Sequence, residues 1–389
     1  MNKNRTRILH VIPTLRKGGA ERIVLDICNE LSRHTSVEVR LLTFIDENEY
    51  SQVSKNFRHD VVPASVSPSL SGKTRVNISR LNEYIQGYKP DIIHSHLFEA
   101  DLVTRWEPLP GICYFSHAHC NTPEILKTRP GNIFSKKTLI AKYVYSLINK
   151  KYKQSNNYFI TISHDSDDYY RMNLPDFNSR IFYLPNAINV SSFDQGEARK
   201  IDKLKLLRMI SVGSINERKN QLFQVEIASE LKKRGVKFHL DILGNGSMFD
   251  TVKKKIEEGN LGNEISLLGN RDDVNEQLLA HDIFLHTAVY EPFGLVILEA
   301  MAAGLPVVCL DGKGNREIMN NGCNGFILSS QDYCNFAEKI TEIIDGQDLY
   351  SRMSHNARLT ARSYDIGPYI EKLIGIYSDV MKKTGNKHC

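Results

Sequence analysis

The sequence has no apolar stretch approaching the roughly 20 residues that a membrane-spanning helix needs. Its longest candidate, 295–310, is interrupted by Glu299, Gly304 and Pro306 and reads as helix, turn and strand. It also shows no signal-peptide core: MNKNRTRILH runs straight into a strand pattern, so the expected location is the cytoplasm. The seven cysteines form no CxxC pair and have no histidines at zinc-finger spacing, which argues against a disulfide framework and leaves reduced, packed thiols. From Lys127 to His164 there is no acidic residue at all.

That acid-free stretch holds Lys127, Arg129, Lys136, Lys137, Lys142, Lys150, Lys151 and Lys153. Between them Ile133, Phe134, Leu139, Ile140, Tyr143, Val144, Leu147 and Ile148 recur at roughly helical spacing. A basic amphipathic segment over 127–153 suits an anionic membrane surface or a phosphorylated lipid, giving peripheral contact at the inner face of the plasma membrane. A core-packed helix with a solvated lysine face explains it equally well. No nucleic-acid module accompanies the patch, so nucleic acid is not an expected partner.

With 389 residues the chain is long enough for two domains. Short β-branched runs alternate with helical patterns, as in parallel α/β folds. Arg7–Thr14, Val37–Phe44, Asp91–His94, Cys113–Ser116, Tyr158–Ser163 and Ile181–Leu184 are the strands expected in the first half. A polar, patternless stretch, Asn189–Lys205, marks a linker. A second series follows, with strands at Leu206–Val212, Lys237–Leu243, Ile265–Leu268, Ile283–His286 and Pro306–Leu310. The expected boundaries are therefore 1–190 and 191–363, with a terminal helix at 364–383 that can pack back on the first domain.

The richest stretch runs from His286 to Pro306. A strand ends there, a loop with Glu291, Pro292 and Gly294 follows, and a helix begins near Gly294. Unpaired N–H groups and the positive dipole end of such a helix suit a diphosphate. Glu291 and Glu299 can each accept two hydrogen bonds from a vicinal diol. After the first strand of the second half, Gly213-Ser214-Ile215-Asn216-Glu217-Arg218-Lys219 places cations just before a helix, a plausible phosphate clamp.

These residues closely resemble family 4 of the retaining glycosyltransferases. Seven residues separate Glu291 from Glu299, and Glu299-Ala300-Met301-Ala302-Ala303-Gly304-Leu305-Pro306 matches the family's helix and turn. The resemblance implies the GT-B architecture, an α/β fold of two Rossmann-like domains facing a central cleft. It implies that Glu299 holds the donor ribose, that Glu291 contacts the transferred sugar, and that Phe293, Gly294 and Leu295 line the diphosphate. Lys219 matches the family lysine that grips the leaving group, but Ser214 stands where the family has arginine, and Arg218 is the candidate substitute. Gly244 and Arg271 fall in nucleotide-facing loops. Gly18-Gly19-Ala20-Glu21-Arg22 matches the family loop near the donor phosphate, and His119, with His117 second, falls where a family histidine meets the sugar.

The function so implied is metal-independent, retaining transfer of a sugar from a nucleotide diphosphate, UDP in preference to GDP, to a glycan or lipid-linked acceptor in cell-surface polysaccharide assembly. No cofactor beyond the donor is expected. No metal is expected either, since His94-Ser95-His96 lacks a carboxylate set and the expected absence of an Asp-x-Asp metal motif at a strand end fits metal independence. Two rivals stay open: a nucleotide-sugar epimerase of the same architecture, and a non-catalytic homologue in an assembly complex, which Ser214 keeps in play.

Overall fold

A computed structural model describes residues 5–50, 55, 57–69, 73–126, 136–193, 196, 199–202 and 205–385. The chain divides into two compact units, Met1–Asn186 with Ile366–Cys389, and Ala187–Asp365.

The first unit contains β1 (Thr6–Ile12), β2 (Val37–Thr43), β3 (Arg58–Val61), β4 (Ser65–Ser67), β5 (Arg75–Asn77), β6 (Ile92–His96), β7 (Cys113–Ala118), β8 (Tyr158–Thr161) and β9 (Ile181–Tyr183). Seven of these form a parallel sheet in the order β3-β2-β1-β6-β7-β8-β9, while β4 and β5 make an antiparallel pair. A parallel sheet is covered on both faces, so its strands read as nearly continuous apolar runs. β1 does so: its last five residues are buried. The short strands β3, β4 and β5 were not expected, because partly exposed three- and four-residue segments carry no readable alternation.

Gly18 sits at the N-cap of the helix Gly19–Leu31, whose Ile23, Ile27 and Leu31 are buried as the spacing predicts. Each such side chain removed from water stabilises the unit by about 1.5–3 kcal/mol. The terminal helix Ile366–Lys383 belongs to this unit and packs against the helix Gly19–Leu31, burying Ile370, Leu373, Tyr377 and Val380.

The second unit contains β10 (Leu207–Val212), β11 (Phe238–Leu243), β12 (Ile265–Gly269), β13 (Ile283–His286), β14 (Val307–Leu310) and β15 (Gly325–Leu328). They form a parallel sheet in the order β12-β11-β10-β13-β14-β15. Only β15 was missed, a four-residue run too short to distinguish from a buried turn. In each unit the strand order reverses beside its first strand, between β1 and β6 and between β10 and β13. Open α/β sheets bind ligands at the carboxyl ends of the strands at such a reversal.

Candidate active site

At the reversal in the second unit, the loop after β10 delivers Lys219 and the loop after β13 delivers Glu291. Lys219 Nζ lies 2.5 Å from Glu291 Oε2, and both side chains are largely buried, at 13 % and 9 % exposure. His286 Nε2, at the end of β13, lies 3.0 Å from the same oxygen. Burial alone would raise the Glu291 pKa. The charge of Lys219 and the hydrogen bond from His286 outweigh it and hold the carboxyl well below the usual range. His286 is itself lowered by burial, against the pull of Glu291, so a neutral imidazole faces the ionised carboxylate.

The backbone on both sides is fixed. Thr287 Oγ1 meets the carbonyls of Lys219 and Asn220, both at 3.0 Å, and Gln224 Nε2 donates to Thr287 Oγ1 at 3.0 Å and to Ser211 Oγ at 2.8 Å. Glu291 N–H donates to the Gly312 carbonyl at 2.8 Å, and Gly314 N–H donates back to the Glu291 carbonyl at 3.0 Å. Gly213 N–H donates to the Leu243 carbonyl, and a Cβ on Gly244 would lie 2.0 Å from the Gly213 carbonyl oxygen, so these two strand ends touch backbone to backbone. Gly213 in turn lies under the Lys219 side chain, where an added Cβ would meet Cε at 3.6 Å.

Three residues after Glu291, Gly294 caps the helix Leu295–Ala302 in the left-handed region at φ 104. That conformation turns the chain abruptly from loop to helix and sets the first-turn N–H groups directly after the loop that carries Glu291. A lysine, a helix start and an ionised glutamate together offer a pyrophosphate two sources of positive potential and a sugar hydroxyl one strong acceptor.

In the first unit, the ends of β1, β6 and β7 bring together five histidines. Parallel register sets His10 beside His94 and His96 beside His117. His10 Nδ1 and His96 Nε2 are 2.9 Å apart, and His96 Nδ1 and His119 Nε2 are also 2.9 Å apart. The His117 and His119 rings stack at 4.4 Å. Burial lowers the pKa of His10 to about 3 and of His117 to about 4, so these imidazoles stay neutral. Ser95, between two of the histidines, faces the other side of the sheet and donates to Asp101 Oδ1 at 2.5 Å.

Comparison with known proteins bears on both units. The model described as Glycosyltransferase Family 4 matches residues 17–192, and the one described as Glycosyl transferases group 1 matches residues 195–360. The chain is a glycosyltransferase of the GT-B fold. It is 24 % identical over 322 residues, 79 % of this chain and 80 % of the relative, to the UDP-Gal:alpha-D-GlcNAc-diphosphoundecaprenol alpha-1,3-galactosyltransferase of Escherichia coli. It is 31 % identical over 152 residues to the lipopolysaccharide core biosynthesis glycosyltransferase LpsE of Rhizobium meliloti, a match spanning 39 % of this chain and under half, 44 %, of that protein. Among solved structures, Anabaena HepE in complex with UDP-glucose superposes with a TM-score of 0.77 at 18 % identity, covering 96 % of this chain and all of that one. WaaG, involved in lipopolysaccharide biosynthesis, gives 0.71 at 17 % identity, covering 95 % of this chain and 99 % of WaaG.

The remaining candidate residues of the glycosyltransferase differ in exposure and in partners. The Phe293 ring is 2 % exposed and packs edge-on against Tyr364, centroids 5.8 Å apart; only its backbone is left to face a diphosphate. Ser214 is exposed. Arg218, the candidate replacement for the family arginine, directs Nη1 to the Tyr290 carbonyl at 3.2 Å, toward the Glu291 loop and not toward Ser214. Arg271 is exposed and pairs with Asp273 on its own loop, Nη2 to Oδ2 at 2.6 Å. Glu299 is half-buried on the helix, and Leu295 likewise. Gly18 is tied to Tyr50, its N–H 3.0 Å from the phenol oxygen, with Gly19 opening the helix after it.

An Asp-x-Asp string does follow a strand: Asp165-Ser166-Asp167 opens the helix His164–Asn173 after β8. Its carboxylates serve the fold, Asp165 accepting from Asn121 at 2.9 Å and Asp167 from Thr161 at 2.8 Å and Arg171 at 2.6 Å. Of the basic segment, Lys127 and Arg129 lie outside the described residues, as do the side chains of Lys136 and Lys137. The helix Lys136–Gln154 buries Ile148 and Tyr152 in the core, and Lys151 spans the Trp106 ring at 4.5 Å. Lys142 is exposed within a turn of Leu139 and Ile140, which are 51 % and 40 % exposed, and Lys150 is exposed about three turns farther along the helix. No described helix is long and apolar enough to cross a membrane. Nothing in the linear sequence marks His286, the Gln224–Thr287 support or His10, because a histidine or glutamine inside an element gives no signal until its neighbours are known.

Proposed function

We propose that this glycosyltransferase moves a hexose from a UDP-sugar onto a lipid-linked glycan, with retention at the anomeric carbon, during cell-surface polysaccharide synthesis. The observation that carries the reading is the buried Lys219–Glu291 pair at the strand-order reversal, beside the start of the helix Leu295–Ala302. Lys219 and the first-turn N–H groups hold the diphosphate, Glu291 receives hydroxyls of the transferred sugar, and Glu299 receives the ribose. The bond from the anomeric carbon to the phosphate oxygen breaks as the acceptor oxygen bonds to the same face. The acceptor proton passes to the departing phosphate. Positioning and charge stabilisation supply the rate, with no strong protein base required.

The donor class is supported by HepE, whose solved complexes hold UDP-glucose, and the acceptor class by the E. coli relative, named for a diphosphoundecaprenol substrate. The residue 187–365 unit takes the donor, and the residue 1–186 unit takes the acceptor with the help of Gly18, Gly19, His117 and His119. Exposed Leu139 and Ile140 among lysines support contact with an anionic membrane carrying that lipid.

The test is incubation with UDP-sugars, first alone and then with an undecaprenyl-diphosphate-linked saccharide. Product formation only in the second arm, with the anomeric configuration unchanged from donor to product by the H1–H2 coupling in NMR, supports the reading. An altered nucleotide sugar from donor alone would indicate epimerisation instead. No turnover in either arm, with growth complemented equally by Glu291→Ala and Lys219→Ala, would indicate a non-catalytic role.

A further inference from the structure

The transfer proposed above uses His117 and His119 and leaves His10, His94 and His96 without a task. All three are fully buried. We propose that His10, His94 and His96 form a binding site for one borderline divalent transition-metal ion of the zinc class.

The geometry carries this in three steps. One ligand nitrogen from each of the three histidines lies within 4.8 Å of the others. Zinc–imidazole bonds of about 2.0–2.1 Å place tetrahedral ligand atoms roughly 3.3 Å apart, so binding draws the rings together and exchanges one of the two histidine contacts of His96 for the ion. Next, His10 Nε2 and His94 Nε2 are buried and have no hydrogen-bond partner. A buried polar nitrogen left unpaired is costly, and a bound cation removes that cost at both atoms. Finally, His94 Nδ1 lies 2.5 Å from the hydroxyl of the buried Tyr377. An Nδ1–H donated to the phenol oxygen turns the Nε2 lone pair inward, the tautomer that a metal-bound histidine needs its outer partner to fix.

The donor set names the ion. It holds imidazoles and no carboxylate, which suits zinc, copper, nickel or iron and disfavours magnesium and calcium. His96 also belongs to a second trio with His117 and His119 whose ligand atoms are equally close. Since His119 is half-buried, that trio gives the ion a path of lone pairs from solvent to the inner site. The register that pairs His10 with His94 creates the site, which is why the linear sequence, with only two His-x-His strings, hides it.

The test uses the full chain, free of any histidine tag and stripped with chelator. The expected result is one zinc per chain by plasma mass spectrometry, held against a chromophoric chelator, with a rise in Tm and a visible cobalt spectrum of nitrogen ligation. His96→Gln should weaken zinc at least 100-fold. Since a core substitution can disturb folding, Tyr377→Phe serves as the second variant: it keeps the ring and removes the oxygen, and should weaken zinc about 10–100-fold with an unchanged Tm in chelator. His239→Ala, in the other unit, should bind as the parent does. Three results would overturn the site: less than one equivalent of zinc in the parent, zinc binding unchanged in both His96→Gln and Tyr377→Phe, or stabilisation by inorganic phosphate in place of zinc.

Discussion

Lys219 and Glu291 depend on each other in a way that can be measured residue by residue. Removing Lys219 takes from the proposed donor site its buried cation and leaves Glu291 buried against His286 alone. Lys219→Ala should lower kcat by about 10²–10³-fold, the usual loss for one preorganised charge-stabilising group, while circular dichroism stays unchanged. The depressed pKa of Glu291 gives a signed prediction for pH. Its folded pKa lies below its unfolded one, so the unfolded chain binds the extra proton. The group's stabilisation is complete above the unfolded value, about 4.3, and is lost as pH falls through the lower folded value. Urea unfolding should therefore show wild type and Glu291→Gln differing by a constant amount from pH 7 to 5, with the gap closing below about pH 4. At this scale the sequence singles out Glu291 and Lys219 through the family resemblance, and the structure brings their side chains together. It could not show that the Phe293 ring is core, nor that Arg218 turns to the Tyr290 carbonyl. Both outcomes depend on residues far along the chain.

Helix starts and strand ends set the next level. Gly294 holds φ 104, and an alanine Cβ there would meet Ile297 Cδ1 at 3.0 Å. Gly294→Ala should cost about 1–3 kcal/mol in unfolding free energy and weaken donor binding together with it, read by urea denaturation and calorimetry. Gly244→Ala meets backbone at 2.0 Å and must part the ends of β10 and β11, so it should be the more destabilising of the two. On the helix Lys136–Gln154 the exposed patch predicts a different outcome: Leu139→Glu with Ile140→Glu should abolish co-sedimentation with anionic vesicles and leave Tm within a degree or two. Apolar runs of six or seven residues make strands such as β1, β2, β10 and β11 legible. The pieces that were missed, β3, β15 and the β4–β5 pair, are three or four residues long and exist because a neighbour supplies their hydrogen bonds. The histidine cluster escaped for a related reason, since it is a product of register between β1, β6 and β7.

Over the whole molecule, two sheets of the same sense repeat one physical device: an order reversal that opens the carboxyl ends of the central strands. The second unit places an ionised glutamate, a lysine and a helix start there, and the first places neutral imidazoles. That division predicts the nucleotide donor in the residue 187–365 unit and the acceptor's hydroxyl in the other. Binding to the native state alone raises stability by mass action, so a true donor at a hundredfold excess over its Kd should add about 2.7 kcal/mol. The most direct test is isothermal titration of the parent chain and Lys219→Ala with UDP-sugars and GDP-sugars. One saturable site for a nucleotide sugar, weakened at least tenfold by the substitution, is the result predicted. Absence of binding by every nucleotide sugar, or equal affinity in the variant, would contradict the assignment of this site.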